Sequence, residues 1–132
     1  VNYVAVDDVG NRISPQLVEG QVHGGVLQGI GQVLAEHGYY DRDTGQFLSG
    51  SFLDYTMPRA ELVRRIESLD FPVPTPTNLL GAKGVGESGC SGALPSVLNA
   101  MHDAVRPLGV KELEMPLTPA KMGRVLAGRA VT

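Results

Sequence analysis

The residues best placed to do chemistry lie in the stretch GAKGVGESGCSG at 81–92. It holds five glycines, one lysine (Lys83) and one acid (Glu87). A chain with so few side chains leaves its backbone amides accessible, and a concave row of amides binds anionic or carbonyl oxygens. The stretch therefore predicts a loop that binds an oxygen-bearing ligand.

Glu87 lies where this loop is tightest, and two interpretations of it are open. A buried carboxylate among glycines and apolar residues takes up a proton more readily than a solvated one, which suits a general base. Lys83 would oppose that effect by favouring the charged carboxylate. In the alternative, Glu87 is an ordinary turn residue with its carboxylate in solvent.

Residues 84–89 also spell the dinucleotide fingerprint G-x-G-x-x-G. That fingerprint requires an apolar strand directly before it and a parallel βαβ unit around it. Here a stretch with three prolines (Pro72, Pro74 and Pro76) precedes it, and proline removes a backbone donor from a strand. The pattern disfavours a dinucleotide site, although a nucleotide-binding module remains an alternative function.

A second polar group, Gln21 and His23, lies near the start of a predicted helix that glycines interrupt. Free amides at a helix start, together with an amide side chain, can bond a polar ligand. A lone histidine there is more often a satisfied or exposed residue. Gly25 and Gly29 are one helical turn apart, as are Gly20 and Gly24, so another backbone or a ligand could approach closely.

Three helices are predicted from apolar spacing and from capping residues. They run from Leu17 to about Glu36 after the cap Ser14-Pro15, from Leu94-Pro95 to Val105, and from Thr118-Pro119 to Gly128. A short helical turn is expected at 58–62.

Strands are predicted where β-branched and aromatic residues alternate between turn formers. They cover Val1 to Val6, a hairpin made from Tyr39-Tyr40 with Phe47-Leu48 and Ser51 to Tyr55, Arg64 to Phe71, and Lys111 to Met115. The fold class is therefore α+β, with a mixed sheet and packed helices in two layers joined by glycine-rich loops.

Length and composition favour one globular domain, 1–132, of which 42% is hydrophobic. The net charge of -3 disfavours nucleic acid and anionic lipid as partners. A single cysteine, Cys90, fits a reducing compartment, and no apolar run reaches membrane-spanning length, so we expect a cytoplasmic protein without a membrane span. The chain opens in mid-strand without a methionine, so we expect a fragment.

Taken in order, the motifs resemble those of one known protein family. They are Ile13-Ser14-Pro15, Glu19 to Gly25 with Gln28 to Gly31, Asp54-Tyr55 with Pro58-Arg59-Ala60, Pro76 to Glu87, Leu94-Pro95 with Asn99-Ala100 and Asp103-Ala104, and Met115 to Pro119. This series is similar to the last, molybdopterin-binding domain of the xanthine dehydrogenase, aldehyde oxidase and carbon monoxide dehydrogenase large subunits. Leu79 departs from the family, which usually has proline there.

The resemblance implies a molybdenum-dependent hydroxylase that oxidises an aldehyde, an N-heterocycle or a similar small carbon centre with oxygen from water. Glu87 would act as base on a molybdenum-bound hydroxide. Gln21 would hydrogen-bond the molybdopterin, and Lys83, Gly84, Val85 and Gly86 would line it in the glycine-rich cofactor loops. None of these residues is expected to bind the metal directly.

The resemblance also implies partners beyond this chain. These are the remainder of the large subunit, iron-sulfur clusters and FAD on other domains or subunits, and a small-molecule substrate. The pterin could carry a cytosine dinucleotide. The C-terminal fragment alone should show no turnover, and a non-catalytic assembly domain is the second alternative function.

Overall fold

The computed structural model describes residues 2–128, and its helices and small parallel sheet confirm the α+β class. Internal contacts divide the chain into two compact units. Unit 1 comprises Val1–Gly29 and Arg59–Ala93, and unit 2 comprises Ile30–Pro58 and Leu94–Thr132. Within 2–128, no helix is both long and apolar enough to cross a membrane.

The sheet of unit 1 consists of two parallel strands, β1 (Asn2–Asp7) and β2 (Arg65–Asp70). Their register pairs Asn2 with Arg65 and Asp7 with Asp70. Both strand predictions are confirmed, except that Val1 lies outside the described residues. The sheet is smaller than the mixed sheet expected, because the other strand candidates do not form strands.

Helix α1 (Pro15–Leu34) confirms the predicted first helix and its start. Proline suits the first helical position because its missing amide would have no partner there, and the Ser14 carbonyl accepts the amide of Val18 at 3.0 Å. Within unit 1, its Val22 and Val26 are fully buried, as the apolar stripe predicts.

The remaining elements of unit 1 are a 3₁₀ turn at Ala60–Leu62, which confirms the short turn expected there, and the start of helix α2 (Ser88–Val105). The predicted start of α2 near Leu94-Pro95 is wrong, since the helix begins six residues earlier in the glycine-rich stretch. The apolar stripe begins only at Leu94, but the amides of a first helical turn need no partner in the helix. Glycine's low propensity therefore costs little at this end.

The core of unit 2 is built from large aliphatic side chains: Val33, Val105, Leu113 and Leu117. Half-buried residues of the second half of α2 and of helix α3 (Pro119–Leu126) pack against it, among them Leu98, Met101, Met122 and Val125. Thr118 caps α3 by accepting the amide of Lys121 at 3.3 Å, and Gly128 follows with a positive φ of 66°. The predicted start of this helix is confirmed, and the helix ends at Leu126, two residues before the predicted Gly128.

Two strand predictions in unit 2 are wrong. Residues 111–115 form no strand, and Leu113 enters the core. Just after this segment, the Leu117 amide donates to the Val33 carbonyl, near the end of α1, at 2.6 Å. The expected hairpin is reduced to one antiparallel bridge between Tyr40 and Phe47, and residues 51–55 form a turn instead.

Candidate functional site

The glycine-rich loop begins where it is bonded to the turn after β1. Gly10 and Gly81 both adopt positive φ, at 61° and 63°, and Gly10 pairs with Ala82 in an antiparallel bridge. The Lys83 amide donates to the Val9 carbonyl at 2.9 Å. A Cβ on Gly10 would lie 2.1 Å from the Gly81 oxygen, so only glycine permits this approach. The start of the loop is thereby fixed beside β1.

Two asparagine side chains reinforce this junction. The Asn11 amide group donates to the Leu80 carbonyl at 2.8 Å, and the Asn78 side chain both donates to and accepts from the backbone of Ala82, at 2.9 and 3.2 Å. The segment before Gly84 is therefore tied to a turn and is not a strand of a parallel sheet. The dinucleotide fingerprint lacks the strand that it requires.

Asp8 is a central residue of the site that the sequence reasoning missed. One carboxylate oxygen accepts the amides of Gly10 and Val73 at 3.0 and 2.9 Å, and the other is 2.5 Å from the Lys83 ammonium. The Lys83 hydrogen bond, followed by the two backbone bonds, lowers the pKa of Asp8 to about 2. The sequence signal at Asp8 is only that of a residue that favours turns. Lys83 is thus paired with Asp8. In the described part of the chain, no contact between Lys83 and Glu87 supports the expectation that Lys83 favours the charged form of the Glu87 carboxylate.

Glu87 is the last residue before α2, and its carbonyl accepts the Ser91 amide at 3.0 Å. Its side chain is exposed, so the expectation of a buried acid is wrong for the chain described. The physical reason is local, because the flanking Gly86 and the nearby Gly89 have no side chains that could cover the carboxylate. Its catalytic role stays a prediction.

The backbone amides at 84–87 form a row of unused donors. Across the described residues, the amides of Gly84, Val85, Gly86 and Glu87 donate no hydrogen bond to protein atoms. Gly84 and Gly86 are exposed, and a Cβ on either would have no neighbour within 4 Å. The loop therefore offers four consecutive donors with free space beside its glycines, as the composition predicts.

The start of α2 is held against α1 by direct backbone contact. A Cβ on Gly25 would lie 2.9 Å from the Cys90 amide nitrogen, and one on Gly89 would lie 2.5 Å from the Val22 carbonyl oxygen. The close approach predicted at Gly25 is confirmed. This contact places the start of α2, and with it Glu87, beside the helix that carries Gln21.

Gln21, Lys83 and Val85 line a common cavity of about 190 Å³ in unit 1. Its remaining wall is mostly apolar, with Val9, Ile13 and Leu17 as examples. Three of the predicted site residues are thus brought together. Gly84, Gly86 and Glu87 do not line this cavity but follow directly along the loop.

His23 is half-buried on α1, and its Nε2 lies 3.9 Å from the Glu19 carboxylate. This nitrogen is buried without a hydrogen-bond partner among residues 2–128. The described part of the chain contains no group of three or more His, Cys, Asp or Glu side chains that could hold a metal ion. The donors available here therefore suit an organic ligand with oxygen and nitrogen atoms.

Comparisons with known proteins point to the same kind of ligand. Residues 1–64 match the family model of the molybdopterin cofactor-binding domain. The chain is 42% identical over 124 residues to the nicotine 6-hydroxylase large subunit of Paenarthrobacter nicotinovorans, which covers 94% of this chain and 15% of that protein. It is 38% identical over 114 residues to the carbon monoxide dehydrogenase large chain of Afipia carboxidovorans, covering 86% of this chain and 14% of the relative.

Solved structures agree with these relatives. Quinoline 2-oxidoreductase from Pseudomonas putida 86 superposes with a TM-score of 0.88 at 38% identity, over 96% of this chain and 16% of that one. A Cu,Mo-CO dehydrogenase superposes with a TM-score of 0.87 at 35% identity, over 95% and 16%. The chain therefore spans about 15% of the length of the curated relatives it matches first.

Proposed function

Since the chain belongs to the molybdopterin cofactor-binding domains of the xanthine dehydrogenase and carbon monoxide dehydrogenase family, we propose that it holds one part of the pterin site in a molybdenum hydroxylase. That enzyme would oxidise an aldehyde, an N-heterocycle or a similar small carbon centre with oxygen from water. Residues 1–132 would form a single cofactor-binding domain in the C-terminal part of the large subunit.

The row of free amides at 84–87 is the observation that carries this proposal. Molybdopterin presents oxygen, nitrogen and sulfur atoms and a phosphate, and backbone amides at a helix start bind such groups well. The free space beside Gly84 and Gly86 gives a flat ligand room to approach the backbone. The His23 Nε2, which is buried without a hydrogen-bond partner within the described range, is a further polar atom available to a ligand. The residues present fit the cofactor.

Each predicted residue then has a distinct task. The side-chain amide of Gln21 can bond the pterin from α1, across the cavity that it shares with Lys83 and Val85. Lys83 is fixed by Asp8, so its ammonium is held in a defined place at the cavity wall. Gly84, Val85 and Gly86 contribute backbone donors.

The bound cofactor would supply an electrophilic molybdenum centre that accepts two electrons from the substrate. Glu87 would supply the base, with a carboxylate oxygen receiving the proton that the oxygen nucleophile loses. Its exposure leaves the carboxylate free to reach a group outside this chain. The rest of the large subunit would cover it and exclude bulk water.

The same proposal extends to the partners. Electrons would leave through iron-sulfur clusters to FAD on other domains or subunits, in an enzyme of the cytoplasm. The pterin would carry a cytosine dinucleotide.

Replacement of Gly84 or Gly86 by alanine in the full complex tests this proposal. Each methyl group has free space in the protein but would meet a cofactor bound against the loop. We expect the affinity for the cofactor to fall at least about tenfold, which corresponds to roughly 1.4 kcal/mol of lost binding, so molybdenum and pterin content should fall. The unfolding curve of the cofactor-free protein should stay the same, because the methyl group has no neighbour in the protein.

Gly123→Ala in α3 is the matched control, because its new methyl group also has no neighbour within 4 Å. It should leave cofactor content unchanged. Full cofactor content in both loop variants would contradict the proposal.

A further inference from the structure

Unit 2 contains a larger cavity than the one beside the glycine-rich loop. It measures about 560 Å³ and is formed by residues 37–42 together with the segment that leads into α3. Small-molecule sites typically have volumes of roughly 300 to 1,000 Å³. We call it the α3 cavity. None of the predicted cofactor-site residues lines it.

The α3 cavity is lined by basic side chains and by no acidic ones. Arg42, Lys121 and Arg124 line the α3 cavity, and none of its lining residues is acidic. In the part of the chain that the structure describes, neither arginine forms a salt bridge. Three cations that line a concave surface with no acidic lining residue give it a positive potential, although the whole chain carries a net charge of -3.

The first turn of α3 adds to this potential. Thr118 and Ala120 line the cavity at the positive end of the helix dipole. The Lys121 ammonium is fixed in place, because it donates to the Glu114 carbonyl at 2.6 Å. Cations beside a helix start are the usual environment of a bound phosphate.

Aromatic side chains also line the α3 cavity. The rings of His37 and Tyr39 stack with centroids 4.0 Å apart, and Tyr40 tilts against Phe47 at 5.0 Å. Both tyrosines are held by these neighbours, yet Tyr39 is 52% and Tyr40 is 64% exposed. Aromatic surface that stays exposed beside cations suits a planar organic group.

From this combination we propose that the α3 cavity is a second ligand site, which binds a free nucleotide. The phosphates contact Arg42, Lys121 and Arg124 near the start of α3, and the base packs on the tyrosines. The site is distinct from the loop at 84–87, whose donors belong to unit 1.

Calorimetric titration of the cofactor-loaded complex with ADP and with pyrophosphate tests this proposal. We expect saturable binding of ADP with one site per chain, weakening as the salt concentration rises because the contacts are ionic. The double variant R42Q/R124Q should weaken ADP binding by at least about tenfold. Y39L should weaken binding of ADP but not of pyrophosphate, since only ADP carries a base.

The matched control is R65Q/R106Q, which removes the same charge from two exposed arginines outside the α3 cavity. It should bind ADP as the unaltered protein does. Three results would each overturn the proposal: no saturable binding of ADP, equal losses in the two double variants, or loss of binding in K83Q with none in R42Q/R124Q. Unfolding curves verify that every variant is folded.

Discussion

The two units of this chain are stabilised in different ways. In unit 1, backbone lies directly against backbone where Gly25 and Gly89 meet, and polar side chains such as Asp8 and Asn78 bond the loop. In unit 2, aliphatic side chains such as Leu117 fill a core. In the unit that carries the proposed cofactor site, glycines stand where larger side chains would cover the backbone, so the backbone donors stay accessible.

The cations of the two units also differ in whether they have an acidic partner. Lys83 in unit 1 is neutralised by Asp8 and fixed in place, whereas Arg42 and Arg124 in unit 2 have no acidic partner in the described structure. A paired cation organises the protein, and an unpaired one in a cavity is available to a ligand. Lys83 therefore supports the loop, whereas the two arginines are the cations available to the proposed nucleotide.

The largest effect on stability is expected in the core of unit 2. Leu117→Ala removes a side chain that is only 2% exposed, so the free energy of unfolding should fall by about 2 to 5 kcal/mol. Urea unfolding measures the change. Leu126→Ala, at a residue 61% exposed, is the control and should change stability by about 0.5 kcal/mol or less. Similar losses in the two variants would show that unit 2 lacks the core described.

A smaller loss is expected where the two backbones meet in unit 1. Gly89→Ala places a methyl group 2.5 Å from a carbonyl oxygen, and we expect unfolding to become easier by about 1 to 3 kcal/mol. Gly123→Ala has no such neighbour and should stabilise its helix by up to about 1 kcal/mol. The two substitutions should thus have opposite signs in urea unfolding, and a stabilising Gly89→Ala would disprove the close contact.

The smallest effect concerns Asp8 and depends on pH. Its pKa in the folded protein, about 2, lies below the ordinary value of 3.8, so the stabilisation is present above pH 4 and is lost as the pH falls towards 2. Asp8→Asn should therefore be less stable than the unaltered protein at pH 6, and the difference should shrink between pH 4 and pH 2. Thermal unfolding across this range measures it. A difference independent of pH would mean that the Lys83 pair contributes nothing.

The elements that local patterns encode could be predicted from the sequence. Helix α1 has an apolar stripe with a proline at its start, α3 has a cap and a terminal glycine, and both strands alternate between turn formers. Such signals act within a few residues, and here the tertiary structure agrees with them.

What the sequence did not predict depends on partners distant along the chain. Helix α2 begins at Ser88, where Gly89 packs against the backbone of α1. Residues 111–115 form no strand, and Leu113 packs in the core. Asp8 is 75 residues from Lys83, so nothing in its neighbourhood indicated the pair. The glycine-rich loop was recognised from composition, but the exposure of Glu87 follows only from its place before α2.

The most direct test of the account is the turnover of the full complex with Glu87→Gln, compared with the unaltered complex at equal molybdenum and pterin content. Glutamine keeps the shape of the side chain but cannot accept the proton, so kcat should fall by about 10² to 10⁴ with cofactor content unchanged. Turnover within about twofold of the unaltered complex would contradict the role proposed for Glu87.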